Sequence, residues 1–220
     1  MLVITVAFGF ALGCSRMDDY KKYLADGPII YTGRVDSVKT YPGNNRIQLT
    51  MLLLSDPKIT KVKVYWNNRN DSSVQNITRS SGVDTVKFML TNMAEGSYNF
   101  EIYTYDNAGH TSVLVTADGQ VYGQNYINSL FNRAIKSITY KNRDTTFLKW
   151  FGPSMQTLGQ QINYTDSLGV FRNVYAPQQD TMTLLYRIKK NSFFNYRTLY
   201  KPDVNAIDTF YSQSQSVQVL

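Results

Sequence analysis

The chain is poor in the residues that carry most enzyme chemistry. Its 220 residues include one Cys, one His and two Glu. A lone Cys14 excludes an intramolecular disulfide. His110 and Cys14 together are too few for a Cys/His zinc centre. A Ser-His-Asp triad would have to use His110, and no nucleophile motif accompanies it. A glycosidase needs two carboxylates flanking a sugar. Glu95 lies in a polar corner and Glu101 points outward from a strand, so both read as structural. Asp18-Asp19 sits in a polar segment that makes a poor Ca²⁺ cage. No Gly-rich loop closes a strand and opens a helix, as a phosphate cradle would. These gaps predict a chain without catalysis, cofactor or resident metal.

Basic clustering is also scarce. The formal net charge is +7, yet adjacent basic residues never exceed two, as at Lys21-Lys22 and Lys189-Lys190. The charge is uneven. Cys14–Asn125 holds 12 Lys and Arg against 11 Asp and Glu, and Tyr126–Leu220 holds 11 against 5. Without a basic run or a nucleic-acid motif, this is a solvated basic half, and no nucleic-acid partner is expected.

The apolar run at the start, Met1–Gly13, is too short to cross a bilayer. It has the length and small-residue ending of a signal-peptide core, and Ala11-Leu12-Gly13-Cys14 resembles a bacterial lipobox. The expectation is a signal peptide over 1–13, then a lipidated tether over 14–27 with acyl chains on Cys14 holding the protein to the membrane. The alternative is a buried first strand with a structural Cys.

What the chain has in plenty is aromatic residues, with 17 Tyr and 11 Phe, which suit pleated, half-buried surfaces. From Pro28 the pattern becomes short strands between turn signals. Strands are predicted over 29–39, 46–54, 61–66, 74–78, 83–90, 97–105 and 112–116, with a turn cluster at Pro42-Gly43-Asn44-Asn45. Val62, Val64 and Trp66 alternate with Lys61, Lys63 and Tyr65. A helix or extended linker follows near 126–133. Seven more strands are predicted over 135–140, 145–151, 160–165, 171–175, 182–187, 195–201 and 217–220. The fold class expected is all-β, two tandem immunoglobulin-like or fibronectin type III-like β-sandwiches spanning 28–125 and 126–220. No close sequence repeat links the halves.

The string Glu95-Gly96-Ser97-Tyr98 resembles the tyrosine corner of Greek-key sandwiches. The run Gly96–Ser112 looks like the sixth strand, hairpin and seventh strand of a fibronectin type III module. Such modules often carry Trp in the second strand, where Leu49-Thr50-Met51 places Met.

Several strings together resemble a family of Bacteroidetes lipoproteins known only as a domain of unknown function. They are Tyr41–Arg46, Val64–Asn68, Glu95–Tyr98, Val121–Gly123, Tyr196–Pro202 and Ala206–Tyr211. The resemblance covers nearly the whole chain after Cys14. It implies an outer-membrane or cell-surface lipoprotein, often upstream of a discoidin-like carbohydrate-binding module in loci for glycan use. It supplies no catalytic residues. The function expected is therefore an accessory glycan-binding or spacer module, with a protein-protein scaffold as the alternative.

By alternation Tyr65, Tyr103 and Tyr105 face outward on neighbouring strands, forming a candidate binding strip for a glycan or an envelope protein. Trp150-Phe151 and Phe193-Phe194 are adjacent pairs in which one member must face out. Finally, the resemblance implies O-glycosylation at Asp followed by Ser or Thr and an aliphatic residue, Met or Thr. The candidates are Thr85, Thr145, Ser167 and Thr181, with ordinary turn chemistry as the alternative.

Overall fold

The computed structural model describes residues 30–54, 56–141 and 145–220. The expectations for the signal segment, the tether and Cys14 lie outside the described residues.

The first half forms seven strands: β1 (Asp36–Pro42), β2 (Arg46–Leu53), β3 (Ile59–Trp66), β4 (Asp71–Asn76), β5 (Asp84–Thr91), β6 (Gly96–Asp106) and β7 (Val115–Val121). They make one sheet of order β1-β2-β5 and another of order β4-β3-β6-β7, with every pair antiparallel. A helix α1 (Gln124–Ser129) leads to the second half. There β8 (Ile135–Lys141), β9 (Thr145–Trp150) and β12 (Met182–Leu185) form a sheet of order β12-β9-β8. Opposite it lie β10 (Thr157–Thr165), β11 (Phe171–Pro177), β13 (Phe193–Tyr200), β14 (Phe210–Tyr211) and β15 (Gln215–Gln218), ordered β11-β10-β13 with both β14 and β15 on β13. Each half is the three-plus-four sandwich of a fibronectin type III-like module. Shifting every strand number by seven maps the first sandwich onto the second, whose last strand is split in two. The fold class expected from the sequence is the fold the chain adopts.

Alternation builds the first core. Ile47, Leu49, Met51 and Leu53 of β2 are buried against Val62 and Val64 of β3 and Phe100 and Ile102 of β6. Each such side chain contributes about 1.5–3 kcal/mol when withdrawn from water. Met51 fills its place with no exposed surface, as an unbranched thioether can. The Tyr98 hydroxyl donates to the Ala94 carbonyl at 2.9 Å, closing the tyrosine corner. The second core gathers Leu148, Trp150, Ile162, Phe194 and Tyr196. Trp150 Nε1–H donates to Thr183 Oγ1 at 2.9 Å, so the indole is buried with its polar end satisfied.

The ladders depart furthest from the predicted spans in three places. The first strand begins at Asp36, not 29. Ser37 sits at φ 50° where the register with β2 slips. The residues before it are held by side chains instead: Thr32 to Thr104, and the Gly33 amide to Asp56 Oδ2 at 2.7 Å. The seventh strand runs through Gly119, where a Cβ would approach Ile47 Cδ1 to 2.5 Å. Glycine there admits a core side chain, so it continues the strand instead of ending it. The strand β14 was not predicted.

Glu95 positions the linker. Its two carboxylate oxygens accept from the Asn125 and Tyr126 amides at 2.7 and 2.8 Å, capping α1 from the first sandwich. Tyr126 in turn packs on Tyr122 and Phe210, with centroids 4.7 and 5.1 Å apart. Phe210 is 2% exposed, and the Ile207 amide donates to the Pro42 carbonyl at 2.8 Å. The last strands of the second sandwich thus close an elbow against the first.

Candidate binding surface

The outward face of β3 and β6 brings the three sequence-predicted tyrosines together. Val62 and Val64 point into the core, which turns Lys61, Lys63 and Tyr65 outward. Phe100 and Ile102 do the same for Tyr103 and Tyr105. The antiparallel register sets Lys61 opposite Tyr105, Lys63 opposite Tyr103 and Tyr65 opposite Glu101. Tyrosine and charge therefore interleave across the two strands.

The rings are half-buried among cations. Tyr65 and Tyr103 meet edge to face, centroids 6.1 Å apart and planes at 87°. Lys63 Nζ lies 4.5 Å from the Tyr65 centroid and Lys61 Nζ 5.3 Å from that of Tyr105. Arg69 reaches over both rings, at 5.9 Å from Tyr65 and 5.5 Å from Tyr103. It donates to Glu101 Oε2 at 2.6 Å and to the Tyr103 hydroxyl at 2.7 Å.

Local backbone explains Arg69. Asn67, Asn68 and Arg69 have φ of 51°, 54° and 65° in the β3–β4 turn. Asn tolerates the left-handed region; Arg does so at a cost of about 1–2 kcal/mol. That conformation directs the guanidinium back across the sheet, where the Glu101 and Tyr103 bonds hold it. Beside it a groove of about 280 Å³ is lined by Tyr65, Trp66, Arg69, Tyr98 and Glu101 among others.

The phenols differ electrostatically. A hydrogen bond from Lys63 holds the Tyr65 phenol below its ordinary value, with a second from Tyr105. Burial pushes the Tyr105 phenol up to about 12, and its bond to Tyr65 adds to this. The alternation found the tyrosines and set Lys61 and Lys63 on the same face as Tyr65; it did not single out Arg69. The signal available was the Asn67-Asn68 dipeptide, a left-handed turn marker just before an Arg.

The remaining sequence candidates are scattered. Thr85 is exposed on β5, an edge strand, and Thr181 is exposed just before β12. Thr145 and Ser167 are half-buried. His110 Nδ1 lies 2.7 Å from Asp106 Oδ2 in the β6–β7 hairpin, where Asp106 also accepts the Ala108 and His110 amides. That is an Asx-type turn. Among the described residues no three His, Cys, Asp or Glu side chains are grouped to hold a metal ion.

These features define a tandem sandwich protein with a cationic, aromatic sheet face. Residues 14–210 match the DUF4998 family, described as a domain of unknown function. The chain belongs to that family. Among solved structures it is similar to a two fibronectin type III domain segment from chicken tenascin. The identity there is 13%, over 84% of this chain and 97% of that one, with a TM-score of 0.33. It is also similar to chicken CNTN1 FN1-FN3 domains, at 12% identity over 88% of this chain and 67% of that one, with a TM-score of 0.43. The strand orders β1-β2-β5 with β4-β3-β6-β7, repeated in the second half, define the fold. No curated protein matches the chain.

Proposed function

We propose that this chain is a non-catalytic accessory module of a lipid-anchored cell-envelope protein, and that the β3–β6 face holds an envelope glycan. The observation that carries the reading is the pre-ordered set of Tyr65, Tyr103 and Arg69, fixed by an edge-to-face ring contact and two hydrogen bonds. Rings offer stacking planes, and three cations against one Glu favour a ligand bearing negative charge. The test is a glycan array that includes acidic polysaccharides, run with Tyr65→Ala/Tyr103→Ala. Loss of retention supports the reading, and retention equal to the parent refutes it.

Anchoring at Cys14 completes the proposal. Acylated protein partitions into detergent and takes up labelled palmitate, whereas Cys14→Ser does neither. Palmitate labelling of the substituted chain would remove the anchor. A second reading, a spacer or scaffold joining another envelope protein, draws on the elbow. Phe210 and the Ile207–Pro42 bond set the two sandwiches in a fixed relation. A pull-down from envelope extracts that recovers one protein with either tyrosine state favours the scaffold.

A further inference from the structure

The second sandwich carries a different surface, the outward face of β11, β10 and β13. We infer that it is a binding site for a neutral oligosaccharide, separate from the cationic tyrosine face of the first sandwich.

Register defines the face. Asn173, Asn163 and Asn195 lie side by side across the three strands. Neighbouring strands are about 4.8 Å apart, so this amide row spans about 10 Å. One step along, Gln161 stands between Tyr175 and Arg197. At the other end Phe171 and Phe193 are 67% and 58% exposed. Arg197 is the charged residue among these positions, in a chain of net charge +7.

Two platforms on this face are built in advance. Tyr175 is 53% exposed, yet its hydroxyl donates to the Leu158 carbonyl at 2.9 Å. Its side chain lies across Gly159, where a Cβ would meet the Tyr175 hydroxyl oxygen at 2.7 Å and its Cε2 at 2.8 Å. The glycine thus lets the ring lie close to the sheet with one side open to solvent. Opposite, the Arg197 guanidinium stacks 3.9 Å over the Tyr211 ring and donates Nε to Gln161 Oε1 at 2.8 Å.

The distribution identifies the occupant. A protein interface has an apolar centre and a polar rim. Here the order is reversed, with amides at the centre and aromatic rings at the edges. Amides both donate and accept, as hydroxyls do. Aromatic faces carry negative potential and attract the partly positive C–H groups of a sugar ring. Among the described residues Asn163 Oδ1, in the middle of the amide row, is a buried acceptor with no hydrogen-bond partner. With so little charge on the face, an uncharged polyol fits better than an anion.

The test is affinity electrophoresis of the full chain in detergent, through gels holding mannan, xylan, β-glucan, galactan or polygalacturonate. The expected result is retardation by at least one neutral polymer, unchanged between 0.05 and 0.5 M salt, values chosen to move the screening length from above ~10 Å to well below it. Phe171→Ala/Phe193→Ala, and separately Tyr175→Ala, should weaken it about tenfold or more with native circular dichroism. Tyr65→Ala/Tyr103→Ala should leave it intact. Retardation by polygalacturonate alone, lost at high salt and with the Tyr65/Tyr103 pair, would overturn this inference while supporting the first-sandwich reading. No retardation by any neutral polymer, or retardation insensitive to both second-sandwich variants, would also overturn it. So would capture of an envelope protein through Phe171 and Phe193.

Discussion

Arg46, the first residue of β2, grips Asp208 of the second sandwich with two donors: Nε to Oδ2 at 2.9 Å and Nη2 to Oδ1. The Asn44 amide adds a third bond to Oδ2 at 2.8 Å. The fork geometry of guanidinium and carboxylate fixes direction as well as distance. Gly43 makes room for the contact, since a Cβ there would approach Asp208 Oδ2 to 2.5 Å and Ile207 Cγ1 to 2.9 Å. The elbow is thus braced by charge on one side and by Phe210 on the other.

Removing the brace should loosen the elbow and leave each sandwich folded. Asp208→Asn is expected to cost ~1 kcal/mol, because solvent reaches Arg46. Gly43→Ala should act in the same direction by displacing the loop. Acid should mimic both. The Arg46 hydrogen bond holds the Asp208 carboxyl below its ordinary value of 3.8. A lowered folded-state value means the contribution is complete above 3.8 and is lost as pH falls through the lower value. Small-angle scattering at neutral pH and below pH 3 checks this. The parent should widen on acidification, and Asp208→Asn should already be wide at neutral pH.

The tyrosine corner gives a sharper single-atom test. Tyr98→Phe removes only the hydroxyl that reaches the Ala94 carbonyl. The expected loss is about 1 kcal/mol in urea unfolding, confined to the first sandwich. The second should melt unchanged, because its phenols hold other sites: Tyr196 donates to the Arg133 carbonyl and Tyr164 to that of Tyr186.

Met51 tests packing. Met51→Ala should cost about 2–5 kcal/mol, as a void opens at a site with no exposed surface. Met51→Leu conserves volume and should cost less than about 1.5 kcal/mol. Equal losses from both would show that shape, not volume, is limiting there.

Legibility in the sequence followed physical periodicity. Strict alternation at Val62-Lys63-Val64-Tyr65 gave both the core face and the outward tyrosines. The adjacent pairs resolved as alternation requires: Trp150 and Phe194 are buried, while Phe151 and Phe193 are 52% and 58% exposed. What stayed hidden depends on contacts distant in sequence. Phe210–Tyr211 is two residues long and is a strand only because β13 pairs with it. Gly119 reads as a breaker until Ile47 is seen against it. The Arg69 guanidinium over the tyrosines depends on three consecutive left-handed residues, which periodicity does not encode. The topological repeat is invisible because the two cores share a strand order and not a residue pattern.

The proposed O-glycosylation can be ranked by geometry. In the Asp166-Ser167-Leu168 string, Asp166 is buried. Its Oδ1 accepts the Leu168 and Val170 amides at 2.9 Å, and its Oδ2 accepts from Arg172 at 2.7 and 2.9 Å. That string is turn chemistry, and a transferase could not engage it without breaking the hairpin. Asp84 is likewise held by Arg79 and the Ser80 amide, but Thr85 beside it is exposed on an edge strand. Thr181 is exposed ahead of β12, and Thr145 is half-buried. A bulky, solubilising sugar is therefore expected at Thr181 first, then Thr85, with Ser167 unmodified. Peptide mapping by mass spectrometry of protein from the native host checks the order. Sugar on Ser167 would show that the hairpin opens before modification. An intact mass that leaves no room for sugar would return all four positions to ordinary turn and strand chemistry.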